Sequence, residues 1–100
     1  MFFFRRETIN TAVEACRNTP GALLLDVREP DEYRSGHIPG ADNLPLSRIG
    51  EAAMDKATPL YVYCLRGTRS RQAVAALTRM GYTAARSIGG IVAYQGALER

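Results

Sequence analysis

One hundred residues are enough for one hydrophobic core and too few for two, so the chain reads as a single domain over residues 1–100. Hydrophobic content of 46% and charged content of 23% exclude disorder as the default state. Thirteen basic residues against ten acidic ones, only one of them lysine, exclude a dense nucleic-acid-binding face and make small anions the better-matched partners.

The chain opens with Phe2, Phe3 and Phe4 followed by Arg5 and Arg6. Apolar residues before the charges, in so short a run, are the wrong order and length for a signal peptide. The run reads as a short first strand rather than a membrane contact, and the chain as cytoplasmic. Asn10 is placed to cap a helix over Thr11–Arg17 whose Ala12, Val13 and Cys16 share a face. Pro20 and Gly21 end it. Residues 22–27, Ala-Leu-Leu-Leu-Asp-Val, form an apolar run too short for a helix and typical of a strand covered on both faces, which implies a parallel sheet between helices. Pro30 suits the first turn of a brief helix closed by Gly36, and residues 41–44 read as a short strand. Ser47 is placed to cap a helix from Ile49 to Met54. Thr58 and Pro59 break the chain before the next apolar run.

That run, Tyr61-Val62-Tyr63, stops at Cys64 and opens into Leu65-Arg66-Gly67-Thr68-Arg69. From Ser70 to Met80 apolar residues recur at helical spacing, and Gly81 follows where a left-handed cap would end the helix. Cys64 therefore lies between a strand's carboxyl end and a helix N-terminus. The free N–H groups there stabilise an anion, Arg66 and Arg69 add charge, and Gly67 lets the backbone curl so that N–H groups converge on the sulfur. The helix terminus alone lowers a thiol pKa by about one unit from about 8.5, and nearby arginine takes it further. Residues 82–85 read as a last strand, with Gly89 and Gly90 leading into a helical turn over residues 91–94.

Ligands of open α/β sheets collect at the carboxyl ends of the strands. Cys64, and at another such end Asp26 and Arg28, fit that rule. Asp26 and Arg28 also fit a structural ion pair. His37, the one histidine, stands in a turn and fits a turn-fixing hydrogen bond better than a general base, since a thiolate activated by charge needs none. Cys16 and Cys64 form no C-x-x-C pair and no metal-ligand spacing. The sequence leaves a disulfide between them open, although a free thiol in a cationic loop suits a reducing compartment.

Several segments together carry a family resemblance: Asp26 to Tyr33, Gly36 to Ala41, Asn43 to Pro45, Tyr63 to Ser70, Gly81 with Tyr82, and Gly89 to Ile91. In that order and spacing, over about residues 9–94, the chain resembles a single-domain rhodanese, a thiosulfate sulfurtransferase. The resemblance implies a three-layer α/β sandwich with a five-stranded parallel sheet flanked by helices. It implies Cys64 as the nucleophile that carries sulfur as a persulfide, and Leu65, Arg66, Gly67, Thr68 and Arg69 as the loop that binds the donor. Asp26, Arg28, His37 and Ser70 would then be supporting residues. Thiosulfate would be the donor and cyanide, a thiol or a protein the acceptor, with no metal or organic cofactor. Tyr94 stands where the family usually has tryptophan. Two other readings remain: an oxyanion hydrolase or reductase, such as a phosphatase or arsenate reductase on the related fold, and a non-catalytic interaction module. The retained Cys64 counts against the module. The phosphatases space nucleophile and arginine one residue further apart than Cys64 and Arg69, which counts against the hydrolase.

Overall fold

The computed structural model describes residues 7–100. Thr8 caps the first helix, α1 (Ile9–Arg17), by accepting the N–H of Thr11 at 3.2 Å. The cap is thus two positions earlier than Asn10, whose side chain instead donates to Ala93 O and accepts from Gln95 N, tying α1 to the segment after the last strand. Strand β1 (Leu23–Asp26) follows, then helix α2 (Pro30–Ser35) with Pro30 in its first turn and Gly36 at its end. Strand β2 (Asp42–Asn43) leads through a 3₁₀ segment, Leu46–Glu51, to β3 (Leu60–Cys64), helix α3 (Thr68–Arg79), β4 (Ala85–Gly90) and a 3₁₀ turn, Ile91–Ala93.

The strands pair in the order β2-β1-β3-β4, all parallel. Among the described residues the sheet therefore has four strands rather than the expected five, and the strand assigned to Phe2–Phe4 lies outside them. The apolar β3 occupies the interior, as a strand covered on both faces should. Its side chains alternate: Tyr61 and Tyr63 pack with Val13 and Cys16 of α1, while Val62 and Cys64 pack with Ala73 and Leu77 of α3. Helix α1, with Tyr33 of α2, covers one face and α3 the other, which makes the three layers.

The last strand corrects the sequence reading. It runs over Ala85–Gly90, because Gly81 and Tyr82 are still engaged in ending α3: their N–H groups donate to Thr78 O and Leu77 O. Tyr82 is buried against the α3-side core. Gly89 and Gly90, low in strand propensity, nevertheless pair with Tyr63 and Cys64. A bulge makes this possible: Val62 faces Ser87 but Tyr63 faces Gly89, leaving Ile88 as the extra residue. The segment expected as a helix from Ile49 is a 3₁₀ turn starting at Leu46, after Pro45.

Candidate active site

β3 delivers Cys64 to the carboxyl edge of the sheet, and the chain must then reverse into α3 within three residues. Gly67 makes the reversal. It is the N-cap of α3 with φ of 107°, a left-handed conformation that side chains disfavour, and this aims its N–H back at the sulfur. Gly67 N lies 3.0 Å and Ser70 N 3.3 Å from Cys64 Sγ. Ser70 Oγ is 3.7 Å from the same atom.

Gly90 is the floor of this loop. A Cβ on it would lie 2.2 Å from Leu65 O and 2.5 Å from Arg66 Cα, so the loop seats on bare backbone. Val92 N donates to Leu65 O at 3.3 Å and holds the seat from the far side.

The thiol is buried, which pushes its pKa up. The Ser70 N–H, the Ser70 hydroxyl and the N–H groups of Gly67 and Arg66 pull it down, and together they prevail, leaving Cys64 below the ordinary thiol range. The donors are backbone and hydroxyl dipoles. Arginine charge, expected to add to these donors, is arranged otherwise. Arg69 makes a bidentate pair with Glu32, at 2.7 and 3.0 Å. The guanidinium, and the Glu29 N–H that also donates to Glu32, hold the Glu32 carboxyl down to about 2 against its partial burial. Arg66 is exposed and makes no ion pair among the described residues.

Above the sulfur lies a cleft of about 160 Å³ lined by Cys64, Leu65, Arg66, Thr68 and Arg69. It gathers the proposed loop residues except Gly67, whose contribution is the N–H beneath. Asp26 and Arg28 do not line it. They bond each other, Arg28 Nη2 to Asp26 Oδ2 at 2.7 Å, and Arg28 also donates to Gly36 O at 2.8 Å. That buried pair closes the segment carrying α2, and α2 carries Glu32 to Arg69. His37 donates from Nδ1 to Tyr33 O at 3.0 Å and stacks on the Tyr33 ring at 3.8 Å, away from the cleft. Both cysteines are free. Among the described residues no group of three or more His, Cys, Asp or Glu could hold a metal ion.

Sequence reasoning missed Glu32, Ser87 and the role of Gly90. Glu32 had a signal, since Glu29 and Glu32 flank Pro30 with the spacing of a capping box, which fixes the Glu32 side chain at the start of α2. Ser87, 2.7 Å from Ser70 Oγ, had none.

The Rhodanese-like domain profile matches residues 10–97. The chain is similar to thiosulfate sulfurtransferase PspE of Escherichia coli (strain K12), 42% identical over 71 residues, which span 67% of this chain and 68% of that protein. It is similar to thiosulfate sulfurtransferase GlpE of Pseudoalteromonas translucida (strain TAC 125), 32% identical over 78 residues, 75% of this chain and 74% of that one. Among solved structures, a rhodanese with anions from E. coli superposes with a TM-score of 0.71 at 34% identity, covering 79% of this chain and 98% of that chain.

Proposed function

The chain belongs to the rhodanese-like domain family, and from that premise we propose that it is a sulfurtransferase that moves sulfane sulfur from thiosulfate to cyanide or a thiol through a persulfide on Cys64. The observation that carries the reading is the set of donors converging on Cys64 Sγ, which favours a sulfur anion over a neutral thiol.

In the first half-reaction the Cys64 thiolate attacks the outer sulfur of thiosulfate. A Cys64–sulfur bond forms, the donor's sulfur–sulfur bond breaks, and sulfite leaves with the electron pair. Three negative charges enter and three remain, one now on the persulfide. In the second half-reaction cyanide or a thiolate attacks the outer sulfur, and the Cys64 thiolate is the leaving group. A low thiol pKa serves both, since it supplies the nucleophile and eases its departure.

The other residues act on charge and position. Arg66, exposed at the mouth, attracts the sulfonate end of the donor. Glu32 fixes the Arg69 guanidinium as a cleft wall and removes most of its net charge, so an anion is held without being trapped. The outer persulfide sulfur, about 2 Å beyond Sγ, then stands in the cleft within reach of an acceptor. A free thiolate of this kind suits a reducing compartment such as the cytoplasm. No helix among the described residues is long and apolar enough to cross a membrane.

Incubation with thiosulfate followed by intact mass measurement tests the reading. One added sulfur atom, localised to the Cys64 peptide and removed by cyanide, is the expected result. Absence of the addition, or its location on Cys16, would overturn it.

A further inference from the structure

Ser70 Oγ has one proton and three neighbours: Gly67 O at 2.9 Å, Ser87 Oγ at 2.7 Å and Cys64 Sγ at 3.7 Å. Ser70 is fully buried, so these neighbours decide where the proton points. With the proton on Gly67 O, Ser70 presents a lone pair to the sulfur. That suits a neutral thiol, whose S–H then donates to Ser70, and opposes a thiolate.

Turning the proton to the sulfur needs two things, and both are present. Gly67 O must not be left without a donor, and it already accepts the Arg71 N–H at 3.2 Å. Ser70 Oγ must also gain a donor of its own. Ser87 meets that need: it sits on β4 opposite Val62, on the α3 side of the sheet, and its hydroxyl has no other side-chain hydrogen bond among the described residues. A hydroxyl that receives a hydrogen bond becomes a stronger donor, so the two serines act as a short polarised chain ending on the sulfur.

We propose that Ser87 is a positioning residue for sulfur transfer, donating to Ser70 Oγ so that Ser70 donates to Cys64 Sγ whenever that atom is a thiolate. The proposal rests on Cys64 being the sulfur carrier. The thiolate is the nucleophile of the first half-reaction and the leaving group of the second, so Ser87 acts on both through Ser70.

The test compares the full chain with Ser87→Ala, Ser87→Thr, Ser70→Ala and the Ser70→Ala/Ser87→Ala double variant. Alkylation by iodoacetamide is followed at the Cys64 peptide from well below to well above the thiol midpoint. Ser87→Ala is expected to shift the midpoint upward and to slow alkylation about three-fold below it, with rates converging at high pH. Ser87→Thr, which keeps the hydroxyl, stays within about two-fold of the parent protein at every pH. The double variant is no slower than Ser70→Ala, because Ser87 has no route to the sulfur except through Ser70. Equal slowing of Ser87→Ala at all pH values, Ser87→Thr as slow as Ser87→Ala, or an additive double variant would overturn the proposal. If the parent protein takes up no sulfur from thiosulfate, the sulfurtransferase reading fails on its own, and the alkylation profiles still decide the role of Ser87.

Discussion

Cys16 and Cys64 are both buried, 6% and 1% exposed, yet they lie on opposite faces of the sheet and ionise in opposite directions. At Cys16, inside α1, burial pushes the thiol up and the adjacent Arg17 charge offsets only part of it. At Cys64 burial acts in the same sense and is outweighed by N–H and hydroxyl donors. A cation beside a thiol is thus the weaker device here. What distinguishes the two is backbone: Cys16 lies in the last turn of α1, where the N–H groups are spent within the helix, whereas Cys64 faces the unspent N–H groups at the start of α3.

The most severe way to break the comparison is to remove each thiol. Cys64→Ala should abolish sulfur uptake and thiosulfate-to-cyanide transfer, while Cys16→Ala should retain transfer within about two-fold, since its loss is a small packing defect. Steady-state thiocyanate formation reads both.

Next in size is Gly90→Ala, which should make the Cys64 environment resemble that of Cys16. The added methyl collides with Leu65 O and Arg66 Cα, so the loop must lift and its N–H groups leave the sulfur. We expect a loss on the order of 2–3 kcal/mol in stability by denaturant unfolding, and transfer reduced more than about ten-fold.

Arg66→Ala sharpens the comparison, since it removes side-chain charge and keeps the backbone donor. The KM for thiosulfate should rise several-fold and lose most of its salt dependence, with the thiol midpoint little changed. A midpoint raised as far as in Gly90→Ala would show that charge, not backbone, sets the thiolate.

The smallest effect concerns Glu32. Its carboxyl titrates at about 2 in the folded chain against about 4.3 for a free glutamate, so its contribution to stability is complete above about pH 4.3 and lost as pH falls through about 2. Thermal unfolding followed across that window should show a drop in the parent protein that is missing in Glu32→Gln.

The strand, thiol, loop and helix around Cys64 were legible in the sequence because local chemistry dictates each of them. An apolar run ends at a cysteine, a glycine allows the reversal, and helical spacing follows from Ser70. The parallel sheet was legible from the apolar run over residues 22–27. Glu32 as partner of Arg69 was not, since the pair spans 37 positions and depends on the packing of α2. Ser87 was not, because parallel pairing across the sheet, with a bulge next to it, places it beneath the loop. The placement of β4 was misread for a related reason: two glycines are poor strand formers, and only the loop seated on Gly90 and the positive φ of 104° at Gly89 explain their presence there. The N–H donors to the thiol were legible, since Gly67 at the start of a helix implies the curl that aims them at the sulfur, whereas the pairing of Arg69 away from the thiol was not.

The central claim, that backbone and hydroxyl donors make Cys64 a thiolate where Cys16 is a thiol, is tested most directly by alkylating both cysteines in one molecule. Iodoacetamide modification of the two peptides would be followed by mass across pH. The account predicts that Cys64 reacts at a rate already near its plateau well below pH about 8.5, while Cys16 reacts only above it. Coincident midpoints, or a Cys64 midpoint above that of Cys16, would contradict it.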